Sequence, residues 1–160
     1  MVGSALEWLI VAGATYVGFR MVRKGVEMLS DQEDYIARTI WGEARGEGAR
    51  GMQAVANVIM NRVKAGSWYG TTPKDVVLKK WQFSCWNDGD PNKSKMLAVT
   101  AADRDFANAQ IIAQAAYNGN LPDITNGATH YYAYKSIKEP SWVKDMTYKT
   151  TIGNHKFYKE

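Results

Sequence analysis

The sequence predicts an α+β domain, mostly helical, with a small antiparallel sheet near its C-terminus. Two observations predict it. Up to about residue 118, apolar residues recur at three- and four-residue spacing, the period of helices buried along one face. After Gly119 the period shortens. "ATHYYAY", "TYKTTIG" and "HKFYK" crowd Thr, Tyr and β-branched residues together, as strands do.

Each element has its own signal. "SDQE" places Ser30 and Glu33 at capping-box spacing, so a helix starts after Ser30. Ile36, Ile40 and Glu43 then share one face, and Gly46 and Gly48 end it. "GMQAVANVIMNRVKAG" is the next helix, with Met52, Val55, Ile59 and Val63 as its stripe and Gly66 as its stop. Thr72-Pro73 starts a short helix, as N-cap and first turn. A helix over roughly Ala102–Asn118 turns Phe106, Ala109, Ile112, Ala113 and Ala116 inward. Gly153-Asn154 is a tight hairpin signal between the last two strands.

With 160 residues, 46% apolar and 22% charged, the chain divides into an N-terminal segment, 1–29, and one folded domain, 30–160. The net charge of +4 favours an anionic partner. No dense Lys/Arg run supports nucleic acid. Two histidines and one cysteine make no zinc pattern, and neither metal nor cofactor is expected. Cys85 reads as a packed small hydrophobe. "NDGDPN" lacks the spacing of a calcium loop and reads as a polar turn.

"ALEWLIVAGATYVGF" (Ala5–Phe19) is short for a membrane span and carries Glu7. Its basic residues follow it, opposite to a secretory signal. Three readings stay open: an amphipathic helix packed on the domain, a weak membrane anchor through residues 1–22, or a signal-arrest-release segment that can leave the bilayer.

Glu43 is the sharpest candidate for chemistry. A carboxyl in step with an apolar stripe is expected to be partly desolvated, which favours its protonated form and a general-acid role. Trp41 would be an aromatic wall. An ion pair with Arg45 or Arg38 is the competing reading. Glu47 is a second carboxylate, read in preference as a hydrogen-bonding or loop-fixing residue. In "KKWQFSCWNDGD", Gln82 and Ser84 read as site-lining. The rings Trp81, Phe83 and Trp86 suit sugar faces or the core equally. "HYYAY" offers Tyr131 and Tyr132, either of which could reach the site, while His155 reads as structural.

Four blocks in order carry a resemblance: "ARTIWGEARGEGARGMQAVANVIMNRV" (Ala37–Val63), "WQFSCW" (Trp81–Trp86), "GATHYYA" (Gly127–Ala133) and "IGNHKFY" (Ile152–Tyr158). They resemble the SleB-like catalytic domain of the spore-cortex-lytic cell-wall hydrolases, over about Asp31–Lys159. The resemblance implies a fold related to lysozyme and lytic transglycosylases. It implies cleavage of the N-acetylmuramic acid–N-acetylglucosamine bond of peptidoglycan, with Glu43 as acid/base. Gln82, Phe83, Ser84, Tyr131, Tyr132, Trp41 and Glu47 are the candidate substrate-binding set. The chain has its own N-terminal segment and lacks the wall-binding repeats of some spore enzymes. That points to a bacteriophage endolysin: a monomer made in the host cytoplasm, acting on glycan strands in the periplasm, with nucleic acid excluded as partner. A lytic transglycosylase with one acid/base is the preferred reading. A water-using muramidase and a non-catalytic wall-binding protein are the alternatives.

Overall fold

The computed structural model describes residues 28–160 and the backbone of two short strands, β1 (Leu9–Val11) and β2 (Ala14–Tyr16). These strands pair antiparallel, Leu9 with Tyr16 and Val11 with Ala14, where the sequence suggested a helix. Val11, Thr15 and Tyr16 are residues that favour strands. The rest of that segment, and its membrane readings, lie outside the described residues. Among the described residues no helix is long and apolar enough to cross a membrane.

Helix α1 (Asp31–Ala44) begins with the expected capping box. The Ser30 hydroxyl accepts from the Glu33 amide, and the Glu33 carboxylate accepts from the Ser30 amide at 2.8 Å. A 3-10 turn at Arg45–Glu47 leads into α2 (Gly48–Ala65), three residues earlier than the sequence suggested. Gly48 takes a φ of +68°, open to glycine at little cost, and so redirects the chain between the two helices. Helix α3 (Pro73–Leu78) has Thr72 as N-cap and Pro73 in its first turn, as read. A short α4 (Lys93–Ala98) was not legible in the sequence. Helix α5 (Arg104–Tyr117) is capped by the Asp103 side chain.

The helices α1, α2, α3 and α5 enclose the main core. Ile36, Ile40, Met52, Val55, Ile59, Val76, Val77, Phe106 and Ala109 are all buried in it. Burying each large apolar side chain contributes about 1.5–3 kcal/mol. The sheet is antiparallel in the order β3 (His130–Ala133), β5 (His155–Lys159), β4 (Thr147–Ile152). Its inner face packs on the back of α2, where Ala54 and Val58 meet Ala128, Ile152 and Phe157. Helix α2 therefore has two apolar faces, one toward the helices and one toward the sheet. Alternation along β3 sends Tyr131 and Tyr132 to opposite sides of that sheet.

Candidate active site

Glu43, in the last turn of α1, is half-buried at the junction of three elements. The Ser84 hydroxyl and the Cys85 amide donate to its Oε1 at 3.3 and 3.0 Å. The Tyr131 hydroxyl donates to Oε2 at 3.1 Å. A carboxyl gripped on both oxygens has a fixed orientation, which is what proton transfer to a bound substrate requires.

Each partner is positioned by an identifiable cause. Gly42 lets the 3-10 turn at Ser84–Trp86 approach α1 closely. A Cβ there would stand 3.0 Å from the Cys85 Cβ and 3.1 Å from the Met96 sulfur. Trp86 fixes the same turn by donating from its indole to the Thr39 hydroxyl at 2.8 Å. Tyr131 lies between His155 and Phe157, with ring centroids 5.3 and 5.7 Å away. Burial, then the adjacent Glu43 charge, holds the Tyr131 phenol well above its ordinary range, so it remains a donor. The same two causes raise the Cys85 thiol, which is buried and no nucleophile.

The arginines that competed for Glu43 are engaged elsewhere. Arg38 pairs with Asp34 at 2.7 Å and reaches the Met96 carbonyl. Arg45 lies over the Trp41 ring at 4.2 Å and bonds Asn92.

Glu47 is tied to the β4–β5 hairpin. Its Oε1 accepts from the Asn154 side-chain amide at 2.7 Å and its Oε2 from the Asn154 backbone amide at 3.0 Å. These bonds hold its carboxyl below the ordinary value of 4.5. Gly153, at φ +56°, leaves the space the carboxylate fills; a Cβ there would collide with it. A lowered folded-state value means that this contribution to stability is complete above pH 4.5. It fades as pH falls through the folded-state value. Glu47→Gln is therefore expected to be less stable than wild type at neutral pH, with the gap closing on acidification below that value. Urea denaturation at several pH values measures this. A gap that widened toward acid would contradict the strap.

The other sequence candidates separate from Glu43. Gln82 spends its amide internally: Nε2 donates to the Tyr69 carbonyl at 3.0 Å, and Oε1 accepts from Arg62 at 3.1 Å. Phe83 is buried beneath the Arg62 guanidinium. Tyr132, on the far side of the sheet, stacks with Tyr158 and donates to Glu139. Trp41 is buried and donates to Asp103 at 3.1 Å. In these four, burial or internal hydrogen bonds account for the placement, and none of them bonds Glu43.

Sequence reasoning missed Arg62. It is buried on α2, and its Nε donates to the Thr129 carbonyl at 2.7 Å while Nη1 reaches Gln82. It thus links the strand bearing Tyr131 to the loop bearing Ser84. Burial pulls its guanidinium below the ordinary value, partly offset by surrounding acidic groups including Glu43. Its signal was present: Arg62 follows Val55 and Ile59 on the core stripe, a charge in step with apolar residues, as Glu43 is.

At the junction of helices and sheet, a half-buried carboxyl is thus gripped by a hydroxyl, an amide and a phenol, an arrangement suited to proton transfer. The family model for cell wall hydrolases matches residues 46–158, so the chain belongs to the cell wall hydrolase family. Among solved structures it is similar to the catalytic domain of the germination-specific lytic transglycosylase SleB from Bacillus anthracis. Identity is 25% and the TM-score 0.63, over 84% of this chain and 100% of that one. The SleB catalytic domain from Bacillus cereus gives the same identity and TM-score, over 84% of this chain and 94% of that one. No curated protein matches. Fold and family together support a peptidoglycan-cleaving enzyme. The family match begins at Gly46, just after Glu43.

Proposed function

We propose that this chain is a lytic transglycosylase that cleaves the N-acetylmuramic acid–N-acetylglucosamine bond, with Glu43 as its single acid/base. The observation that carries this is the asymmetry of the two carboxylates. Glu43 is held by Ser84, Cys85 and Tyr131, whereas both oxygens of Glu47 are taken by Asn154. One carboxyl that is oriented by its neighbours and not spent on fastening a hairpin suits a reaction that supplies its own nucleophile. Glu43 gives its proton to the glycosidic oxygen and the leaving sugar departs. The muramoyl 6-hydroxyl then attacks the anomeric carbon, Glu43 takes the hydroxyl proton, and a 1,6-anhydro ring closes. The SleB domain of Bacillus anthracis, described as a lytic transglycosylase, supports the same route. In this reading the protein acts on wall glycan as a monomer, and its use in phage lysis rests on the sequence resemblance.

Mass spectrometry of purified peptidoglycan digested by the protein tests the route. Fragments ending in 1,6-anhydromuramic acid are expected. Reducing muramic ends, one water heavier, would replace it with a muramidase in which the exposed Ser84 hydroxyl beside Glu43 helps to place the water. Release of no fragments would leave a wall-binding protein.

Tyr131→Phe removes one donor from the Glu43 carboxyl and leaves the ring packing intact. Loss of a hydrogen bond to a charged group amounts to about 1.5–3 kcal/mol, so activity is expected to drop roughly 10- to 100-fold. Turnover on soluble glycan fragments, with circular dichroism to confirm the fold, measures it. Unchanged turnover would remove Tyr131 from the site.

A further inference from the structure

Two tryptophans on the surface have no part in the chemistry above. Trp81 is 76% exposed and Trp68 51% exposed, although tryptophan is normally well buried. The backbone presents both rings in an unusual way. Trp81 itself has a φ of +70°, and Ser67, immediately before Trp68, a φ of +55°. A bulky side chain in the left-handed region is a genuine outlier, and such strain concentrates at functional sites.

The two rings belong to one surface. Gln82, next to Trp81, donates to the Tyr69 carbonyl at 3.0 Å, and Trp68 stacks on Tyr69 with centroids 4.3 Å apart. The Lys79 ammonium lies 5.1 Å from the Trp68 ring centroid, and that of Lys80 lies 5.1 Å from the Trp81 centroid. Trp81 is also close to the Glu43 site. Ser84, which bonds Glu43, is three residues after Trp81, a chain reach of at most about 10 Å.

We propose that Trp81, together with Trp68, is a stacking platform that holds the glycan strand beside the Glu43 site, so that the sugars beyond the scissile bond are bound here. The inference rests on the glycan-cleaving function proposed above. Sugar rings have apolar faces and polar edges. An exposed indole meets the face, and the lysine ammonium groups meet the oxygens at the edge. The polymer's anionic character adds charge complementarity with Lys79 and Lys80.

The test uses the full chain and purified sacculi. In a Glu43→Gln background, Trp81→Ala is expected to co-sediment with sacculi about tenfold more weakly than its parent, as loss of an aromatic stacking contact would give. Trp81→Tyr is expected to restore binding. In the active background, Trp81→Ala raises KM for long glycan strands by a similar factor and leaves kcat within about twofold. Trp81→Gly suits the left-handed backbone, so it melts at or above the wild-type temperature while binding as weakly as Trp81→Ala, which separates lost stacking from lost fold. If wild type releases fragments and Trp81→Ala matches its parents in sedimentation and KM, the platform is refuted and the function stands. If wild type releases nothing from sacculi, the cleaving function falls, and equal sedimentation of Trp81→Ala and its parent refutes the platform as well.

Discussion

Glu43→Gln is expected to lower fragment release from sacculi by about 10³- to 10⁴-fold while leaving the fold intact. General acid–base catalysis contributes about 10²- to 10⁴-fold per group. Here one carboxyl serves as acid and then as base, which places the loss at the upper end. The fold should be spared because glutamine can keep the contacts. Its carbonyl oxygen accepts from the Ser84 hydroxyl and the Cys85 amide, and its amide donates to the Tyr131 hydroxyl, which can accept as readily as donate. The melting temperature is therefore expected to stay within about 2 °C of wild type, a shift of less than about 1 kcal/mol. A variant that retained a tenth of wild-type release would show that another group supplies the proton.

The second large effect is on stability. Arg62→Ala is expected to destabilise the domain by about 3–4 kcal/mol. It leaves the Thr129 carbonyl and the Gln82 amide oxygen without their buried donor and removes packing over Tyr69 and Phe83. At this chain length that lowers the melting temperature by roughly 10 °C. Arg62→Lys should recover little, because an ammonium lacks the planar fork that spans two acceptors. Activity should decline as well, since Arg62 joins the strand carrying Tyr131 to the loop carrying Ser84. Calorimetry and denaturant melts measure the effect. A loss below about 1 kcal/mol would mean that water substitutes for the guanidinium, and Arg62 would then not be the link between the two walls.

The helical frame was legible because it depends on local rules. The Ser30 capping box, the Thr72-Pro73 start and the stripes of α1, α2 and α5 all depend on residues within a few positions of one another. The change of period after residue 119 located the sheet, and Gly153-Asn154 located its hairpin. Glu43 stood out for a related reason: a carboxyl on an apolar stripe conflicts with the local pattern, and such a conflict makes it a candidate site residue. The short α4 and the 3-10 turns carry too few residues for periodicity to register.

Roles that depend on partners far along the chain were not legible. Gln82 and Ser84 looked equivalent in one loop, yet Gln82 turns inward to Arg62 and Ser84 outward to Glu43. Tyr131 and Tyr132 looked equivalent in one strand. Register against Phe157 and Lys156 decides that only Tyr131 reaches Glu43. The sequence by itself determined the helices, the sheet and the one carboxyl out of place on its stripe, because near neighbours impose these through hydrogen-bond geometry and the period of burial. Only the tertiary structure decided what surrounds that carboxyl, the turn that Gly42 admits and the phenol 88 residues away, and that Glu47 is clasped to Asn154 instead. Those contacts bring distant segments together, and chain packing, rather than any local preference, selects which side chain faces which.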